Sequence, residues 1–491
     1  MAWSDGRPRA RIRASWREVA LALLPVAIIA LSVLVHLRTL NQPLLETYGF
    51  RQTQTAYTAR VFHESGIDLL HSQMPVMGPP WEVPFELPLF QAAASLVMDV
   101  GVAEDRAMRL TGLATFVLSA GLLYLLARPR IGRLGANFAL IAFVASPFAL
   151  LFSRTSLIEY SAVAASLAFA LAGLHWRERG GRAWYGLALV AGIVAMTVKV
   201  TTGVFWILPF ALLGFTSDAN ARRDRRWIGA WALTLVPLAA ALAWTAWADG
   251  IKAASPETAW LTSRALFSWN FGTLAQRLSP QAWSHALYPA FWPIGGIVLP
   301  LAVILVMVGA WRSRGRRFWT WMLIALVGPI LVFFNLYVVH QYYSAAITPA
   351  VAMFLGAAAA FLFASRARWS KVALVGGIAT AVVAWVALTG YWRPGFRKVA
   401  DPHGVLPLAR QISAETDPSQ LVAIVGRDWS PEILYYARRR GLMVPTGVKA
   451  DVGALQAAGY VVYRCPGKAS PVACVRLGPG DQGLPPPTAV P

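Results

Sequence analysis

The sequence predicts a mainly α-helical, polytopic membrane protein of about eleven transmembrane helices, with a long first outer loop and a small C-terminal α/β domain. Hydrophobic residues make up 57% of the 491 positions and charged residues only 14%, whereas soluble chains are about a quarter charged. The apolar residues are collected into runs that approach the roughly 20 residues needed to cross a bilayer. The runs lie near 18–36, 106–127, 134–152, 158–175, 183–198, 202–215, 228–247, 289–311, 318–339, 343–364 and 372–390.

The distribution of Lys and Arg predicts the orientation of these helices. Residues 1–17 are basic, and the first apolar run lacks a signal-peptidase-like site, so we interpret it as an uncleaved helix. Every even-numbered connection carries a basic cluster, as the positive-inside rule requires of cytoplasmic loops. These clusters are Arg128/Arg130/Arg133, Arg177/Arg179/Arg182, Arg222/Arg223/Arg225/Arg226, Arg312/Arg314/Arg316/Arg317 and Arg366/Arg368/Lys371. The N-terminus is therefore predicted to be cytoplasmic and the C-terminus to lie on the opposite side.

The same clusters account for the formal net charge of +21. Because they do not form one continuous basic face, this charge does not indicate a nucleic-acid-binding protein. Within the predicted transmembrane domain, 18–390, two outer connections are long. The first covers 37–105 and includes an apolar segment, Leu87–Val100, expected to lie in the membrane interface or to dip back toward it. The second covers 248–288 and is rich in Trp.

The tail after the last helix, 391–477, has the pattern of a small α/β domain. Helices are expected at Val405–Thr416 and Pro431–Arg440, and strands at Leu421–Val425, near Val444 and at Tyr460–Tyr463. Residues 478–491 are rich in Pro and Gly and are expected to be disordered. Cys465 and Cys474 both fall in the tail; an oxidising outer compartment favours a disulfide, with two unpaired thiols as the alternative.

Five polar motifs interrupt the apolar pattern, and the predicted topology places all of them on the outer side. They are Glu46 with Arg51, Gln52 and Gln54; Glu82 with Glu86; Arg154 with Glu159; Lys199 with Thr201 and Thr202; and His340 with Tyr342 and Tyr343. Carboxylates can act as general bases or hold a metal, and Arg and Lys can hold a phosphate. Together they would suit a phosphate-bearing lipid with a sugar head group.

Each residue also has a simpler interpretation when taken alone. Lys199 can snorkel to the interface, Tyr342 and Tyr343 can belong to an aromatic belt, and Glu159 can cap a helix. Arg51 and Arg154 can form structural ion pairs with Glu46 and Glu159. The convergence of the five motifs at one surface favours the functional interpretation.

The motifs, in this order, resemble a family. Glu46…Arg51-Gln52-Thr-Gln54-Thr-Ala resembles the acidic–x4–R-Q-x-x-T-A signature of one branch of the GT-C glycosyltransferases, which use polyprenyl-phosphate sugars. This branch is related to the lipid A aminoarabinose transferase and the protein O-mannosyltransferases. The further matching segments are Phe85-Glu86-Leu-Pro88-Leu-Phe-Gln91, Arg154…Glu159, Thr197-Val-Lys199, His340-Gln-Tyr-Tyr343…Pro349 and Asp428…Gly441.

The resemblance implies a GT-C fold whose active site lies between the first outer loop and the membrane helices, and an inverting transfer of a sugar from a lipid phosphate to an acceptor hydroxyl. Three carboxylates are implied as catalytic, with Glu46 as the first choice for general base and Glu86 and Glu159 as alternatives. The implied phosphate-binding residues are Arg51, Lys199 and Arg154, and the implied residues of the donor and sugar pocket are Gln52, Gln54, His340, Tyr342 and Tyr343.

The chain departs from the family pattern at one point. The aminoarabinose and mannosyl branches have an Asp-Glu pair close to where this chain has Arg51-Gln52, so the choice of base stays open. No cofactor is assigned; a divalent cation is an open alternative, with Glu86 as its candidate ligand.

The predicted partners are the membrane, a polyprenyl-phosphate sugar donor and a glycan, lipid or protein acceptor, with no nucleic acid. The high Arg and Ala content suggests a GC-rich bacterium, its inner membrane, and an undecaprenyl or decaprenyl carrier. Two other functional classes remain as alternatives: a lipid or glycan transporter or flippase, and a non-catalytic subunit of an envelope assembly.

Overall fold

The computed structural model describes residues 16–211, 226–311, 315–388, 403–465 and 473–478, together with 390, 393 and 401. The basic residues 1–15, the cluster at 222–225 and the tail end 479–491 lie outside the described residues. The helices of the first half are α1 Trp16–Leu37, α2 Gly49–Ser65, α3 Leu89–Asp99, α4 Glu104–Ala145, α5 Pro147–Phe152, α6 Glu159–Arg179, α7 Arg182–Val198, α8 Val200–Ile207 and α9 Arg226–Ala253.

The helices continue to the end of the apolar region. They are a 3₁₀ turn Ala259–Leu261, α10 Phe267–Phe271, α11 Leu274–Arg277, α12 Pro280–Phe291, α13 Val298–Ala310, α14 Arg316–Val332, α15 Phe334–Val339, a 3₁₀ helix Gln341–Ile347, α16 Thr348–Ala364 and α17 Arg368–Ala387. Every predicted apolar run overlaps at least one of these helices.

Several helices are long and apolar enough to cross a membrane, which makes this a multi-pass membrane protein. Within the described residues there are four such helices, Glu104–Ala145, Trp227–Ala253, Gln341–Ala364 and Arg368–Ala387. Shorter apolar helices accompany them at Leu23–Leu37, Leu89–Asp99, Arg182–Val198 and Val298–Ala310.

Two predicted runs, 106–127 and 134–152, are joined through α4, which bends where the basic connection was expected. Pro129 lacks the N–H that an α-helix needs, and Gly132 has a φ of 71°, outside the helical region. The bend places Arg128, Arg130 and Arg133 at the turn between two apolar segments. The two apolar segments of α4 are therefore joined by a charged helical bend and not by a separate loop.

The packing of α4 against α16 uses glycine for close approach. A Cβ added to Gly356 would lie 2.5 Å from the carbonyl oxygen of Gly135 and 2.7 Å from the Cβ of Ala139. Small residues at such crossings let helix backbones approach closely, which is how membrane helices associate without a hydrophobic driving force.

The segment 37–105, named the first outer loop after its predicted side, is folded by α2 and α3, and α3 corresponds to the predicted apolar segment Leu87–Val100. This helix packs on α2 and on the start of α4. The segment 248–288, named the second outer loop in the same way, begins at the end of α9 and continues through the 3₁₀ turn and α10 to α12. Trp244 and Trp247 of α9 donate from Nε1 to the carbonyl oxygens of Phe85 and Leu70, at 3.1 and 3.2 Å, so α9 holds the first loop.

The C-terminal segment forms the small α/β unit that the sequence predicts. Its elements are α18 Val405–Glu415, β1 Leu421–Val425, α19 Glu432–Ala437, β2 Gly441–Val444, α20 Val452–Ala457, β3 Tyr460–Arg464 and β4 Val475–Arg476. The sheet order is β2-β1-β3-β4, with β1 parallel to both neighbours and β4 antiparallel to β3. Helix α20, which begins after the Asp451 cap, was not predicted. Cys465 and Cys474 form a disulfide.

This C-terminal unit is built onto the first outer loop. The backbone of the loop extends the sheet at β2, because Met443 N donates to Val76 O at 2.8 Å and Gly441 N donates to Pro75 O at 3.1 Å. Tyr435 and Tyr436 each donate to a carboxylate oxygen of Asp105 at 2.9 Å. The tail therefore packs over the first loop and the start of α4.

Candidate active site

A break between α7 and α8 positions Lys199. The residue has extended backbone angles (φ −159°, ψ 93°), and its N–H donates to Ala195 O at 3.1 Å. Gly203, one turn later, allows the close approach, since a Cβ there would lie 2.8 Å from Ala195 O. The chain thus turns sharply at the lysine and carries its side chain inward.

The ammonium group of Lys199 pairs with Glu159 Oε1 and lies against aromatic faces. Its Nζ is 4.3 Å from the ring centre of Tyr343 and 5.4 Å from that of Tyr342. The side chains of Lys199 and Glu159 are both buried. The second oxygen, Glu159 Oε2, has no hydrogen-bond partner among the described residues. In this buried pair Glu159 Oε2 can therefore accept a further hydrogen bond, and the Lys199 ammonium group can attract a phosphate.

His340 continues this aromatic wall between α15 and the following 3₁₀ helix. Its ring stacks on Tyr342 at 5.1 Å between centroids and meets the edges of Tyr48 and Trp269, each at 5.8 Å. Burial, and to a smaller extent the charges of Lys199 and Arg51, lower the pKa of His340 to about 4. The imidazole is therefore neutral at physiological pH.

A second pair, Arg51 and Glu86, faces the first from the outer loop. Arg51 Nη2 donates to Glu86 Oε2 at 2.8 Å and Arg51 Nη1 donates to Gln54 Oε1 at 2.7 Å. Gln91 Nε2 donates to the other oxygen of Glu86 at 2.9 Å. These side chains line a pocket with Phe85 and Pro88.

Electrostatics connect the two pairs. Burial acts to raise the pKa of Glu86, but the attraction of Arg51, aided by Lys199, outweighs burial, so the pKa is lowered. Burial acts to lower the pKa of Arg51, but the attraction of Glu86, aided by Tyr342 and Glu159, outweighs it, so the pKa is raised. Glu86 is thus an ionised carboxylate at neutral pH, and Arg51 and Lys199 act on one region between the loop and the membrane helices.

Glu46 lies in a different environment, between two buried arginines. Arg109 Nη1 donates to Glu46 Oε1 at 2.8 Å, and Arg154 Nη2 donates to Glu46 Oε2. Arg109 also donates to the carbonyl oxygens of Gln42 and Pro43, at 3.0 and 2.7 Å. Both oxygens of Glu46 are therefore paired with buried arginines, and its side chain is only 4% exposed and does not line the pocket that Glu86 lines. Its assignment as general base, and that of Arg154 as a phosphate ligand, stay predictions that this geometry does not favour.

Gln52 is likewise engaged with the protein. Its Oε1 accepts from Ser156 N at 3.1 Å, and its Nε2 donates to Thr47 O at 3.0 Å. This side chain holds α2 against the segment that leads into α6, whereas Gln54 faces Arg51 in the pocket. The described residues contain no group of three or more His, Cys, Asp or Glu side chains that could hold a metal ion.

Three contributors to the site were missed in the sequence. Arg109 had a signal, because it is a charge inside a predicted apolar run, where ionisable residues are functional or paired. Gln91 lies within a quoted motif but was given no role. Tyr48 gave no local signal: it has a left-handed φ of 60°, accepts from Gln341 N at 3.0 Å and meets Tyr342 edge-on at 4.8 Å.

Solved structures share this architecture. ArnT from Cupriavidus metallidurans bound to undecaprenyl phosphate is 15% identical, with a TM-score of 0.61 over 90% of this chain and 93% of ArnT. The chain has the GT-C fold. AglB, the oligosaccharyltransferase of Archaeoglobus fulgidus in complex with an inhibitory peptide and a dolichol-phosphate, is 12% identical. It gives a TM-score of 0.61 over 92% of this chain and 70% of AglB.

Two further comparisons agree with this fold. The arabinofuranosyltransferase AftD from Mycobacteria is 15% identical, with a TM-score of 0.52 over 90% of this chain and 35% of AftD. A family model described as dolichyl-phosphate-mannose-protein mannosyltransferase matches residues 82–247. That segment contains Glu86, Arg109, Glu159 and Lys199. No curated protein gives a significant match.

Proposed function

We propose that this chain is an inverting membrane glycosyltransferase that takes a sugar from a polyprenyl-phosphate donor and passes it to an acceptor hydroxyl outside the cytoplasm. The observation that carries the proposal is the buried Lys199–Glu159 pair at the α7–α8 break, opposite the Arg51–Glu86 pair of the outer loop. Proteins of this fold have been solved with undecaprenyl phosphate and with dolichol-phosphate.

Lys199 and Arg51 are proposed to bind the donor phosphate. In the present structure each cation is neutralised by one carboxylate, Glu159 or Glu86. A phosphate arriving between them would add a second anion, and charge-assisted hydrogen bonds to a phosphate are among the strongest available. Tyr342, Tyr343 and His340 would form the wall against which the donor sugar rests, with His340 neutral.

Glu86 is proposed as the general base. Its side chain, 11% exposed, belongs to the outer loop, whereas that of Glu159 is 4% exposed and faces Lys199. In the proposed step the acceptor oxygen attacks the anomeric carbon and gives its proton to Glu86. The bond from that carbon to the phosphate oxygen breaks, and the electron pair stays on the phosphate, near Lys199 and Arg51.

The lowered pKa of Glu86 makes it a weak base, which suits this reaction. A phosphate ester is already a good leaving group, so positioning and charge stabilisation carry much of the rate. The site needs a carboxylate that is ionised at neutral pH more than it needs a strong base. Glu159, buried beside Lys199, would hold that cation in place before the donor binds.

The topology that accompanies this proposal is the predicted one, with about eleven spans, a cytoplasmic N-terminus and a C-terminal domain in the periplasm. It would place both ion pairs at the outer surface of a bacterial inner membrane. Transporters tend to place charges near the bilayer midplane on broken helices; Lys199 also lies at a helix break, but this topology would put it at the outer surface and not at the midplane. The folded outer loop and the tail domain packed on it favour an enzyme over a transporter or flippase, and a non-catalytic subunit would not require the facing ion pairs.

Binding of undecaprenyl phosphate to the purified full chain in lipid nanodiscs tests the proposal. Native mass spectrometry should show one lipid phosphate bound, and Lys199→Met should weaken binding by about tenfold or more, since a charge-assisted contact contributes about 1.5–3 kcal/mol. Lys371→Met, at an exposed position near the start of α17, is the matched control. Equal binding by wild type and Lys199→Met would overturn the phosphate assignment.

The transfer reaction is tested in cells. The envelope glycans of a deletion strain should lack one sugar substituent that the parent carries, and a plasmid with the wild-type gene should restore it. Glu86→Gln should fail to restore the sugar, whereas the protein should accumulate normally. Restoration by Glu86→Gln would remove Glu86 from the base role.

A further inference from the structure

Two half-exposed tryptophans of the second outer loop stand on either side of the candidate site. Trp269, 46% exposed, meets His340 edge-on and belongs to the donor side described above. Trp260, 43% exposed, lies on the other side and meets Trp429 of the C-terminal unit edge-on at 5.4 Å between centroids. The donor side accounts for Trp269 but leaves Trp260 without a role.

Trp260 is part of an aromatic group contributed by three distant segments, which we call the outer aromatic cluster: Phe50, Phe85, Trp260 and Trp429. Trp429 is at its centre, 4.5 Å from Phe50 and 6.4 Å from Phe85 between ring centroids. Phe50 directly precedes Arg51, and Phe85 directly precedes Glu86. The cluster therefore borders the proposed base.

The cluster is held in place by polar contacts. Trp260 Nε1 donates to Glu257 O at 2.8 Å, which fixes the indole ring on the rim. The backbone of Phe85 accepts from Trp244 Nε1 at 3.1 Å, and Lys252 Nζ lies 5.5 Å from the Phe85 ring centre. A binding surface that is already ordered loses little conformational entropy when a ligand arrives.

An aromatic belt at the membrane surface would explain a single exposed tryptophan, but the contacts of Trp260 differ from those of a belt residue. It packs on Trp429, which belongs to the unit that carries the sheet, and its surroundings include charges: Arg51 and Glu86 beyond the phenylalanines, and the exposed Asp428 beside Trp429. An acyl chain could make no hydrogen bond to these charged groups.

A sugar ring matches both features. Its C–H face is weakly positive and is attracted to the negative face of an aromatic ring, while its hydroxyls can reach charged groups at the edge. We propose that Trp260, supported by Trp429, binds a sugar ring of the acceptor, so that the acceptor is a glycan or glycolipid. This inference rests on the proposed function, because it takes the hydroxyl that attacks beside Glu86 to be on that sugar or its neighbour.

Binding of simple sugars tests the inference separately from catalysis. Saturation-transfer NMR is measured on the full chain in nanodiscs with methyl pyranosides of glucose, galactose, mannose and N-acetylglucosamine as probes. At least one pyranoside should be saturated by wild type, with the signal strongest on the protons of one ring face. Trp260→Ala should weaken that binding by about tenfold, and Trp260→Phe should keep most of it.

Trp184→Ala is the matched control, since Trp184 is similarly exposed, at 37%, and stacks on His175 away from the cluster. Trp260→Ala should bind undecaprenyl phosphate as wild type does, which shows that it is folded. The inference is overturned if wild type saturates none of the pyranosides, if Trp260→Ala saturates them equally, or if only a serine-containing peptide gives a Trp260-dependent signal. Failure of wild type to bind undecaprenyl phosphate would instead count against the proposed function.

Discussion

Arg109 and Glu46 form a buried ion pair at 2.8 Å, in which the arginine side chain is fully buried and the carboxylate is shared with Arg154. The pair joins the start of α4 to the residues that lead into α2. Removing one partner of a buried pair leaves a charge without compensation, which typically costs about 3–5 kcal/mol.

We therefore expect Arg109→Met and Glu46→Gln to lower the midpoint of thermal unfolding in detergent by several degrees. Arg106→Ala is the control, because Arg106 lies one turn away and its side-chain hydrogen bonds to the described residues are two exposed ones to Asn41 Oδ1; surface changes of this kind usually stay within about 0.5 kcal/mol. A Glu46→Gln variant that is as stable as wild type but inactive would return Glu46 to the role of base.

The Lys199–Glu159 pair should separate stability from ligand binding. Lys199→Met alone leaves a buried carboxylate unpaired, so stability should fall. In the double variant Lys199→Met/Glu159→Gln neither charge is left, so stability should return toward that of wild type. Binding of undecaprenyl phosphate should stay weak in both variants, because the cation is absent.

This prediction is measured as a double-mutant cycle on thermal unfolding, with lipid binding recorded on the same samples. Recovery of lipid binding together with stability in the double variant would mean that Lys199 acts on the fold and not on the phosphate.

His340 should make the protein sensitive to mild acid. Its pKa is lowered to about 4 in the folded protein, against about 6.5 for an unfolded histidine. The unfolded chain therefore binds the proton more readily, and stability should be complete above pH 6.5 and decrease as the pH falls toward 4. His340→Asn should remove this part of the pH dependence. Unfolding midpoints of the two proteins between pH 7.5 and pH 4.5, compared as a difference, measure it; parallel curves would contradict the prediction.

The contact of Asp105 with Tyr435 and Tyr436 should hold the C-terminal unit on the membrane domain. Asp105→Ala leaves two tyrosine hydroxyls without their acceptor, at about 1–3 kcal/mol for each group that stays buried. The expected result is faster limited proteolysis between α17 and α18, with the rates of cleavage elsewhere in the chain unchanged. Asp99→Ala, which removes an exposed pair with His63, is the control and should be cleaved at the same rate as wild type. Unchanged proteolysis in Asp105→Ala would show that sheet extension by the first loop is sufficient for docking.

Much of the fold was accessible in the sequence because it depends on local patterns. Apolar runs bounded by Arg clusters predicted the positions of the membrane helices. In the C-terminal unit the order of the first three elements was predicted, and their bounds to within a few residues: Val405–Glu415, Leu421–Val425 and Glu432–Ala437. The continuity of α4 through Pro129 and Gly132 was not predicted, since a break and a full loop give the same pattern of residues.

The sequence by itself determined that this is a multi-pass membrane protein with charged and aromatic motifs in a fixed order, because hydrophobicity and charge act residue by residue. Only the tertiary structure decided which charges neutralise each other. Glu46 lies 63 positions from Arg109 and 108 from Arg154, and no local pattern says that such residues meet. Ion pairing depends on distances of a few ångströms, and these are set by how α2, α4 and the segment before α6 pack. That packing buries Glu46 between two arginines, whereas Glu86, Arg51 and Lys199 face the candidate site.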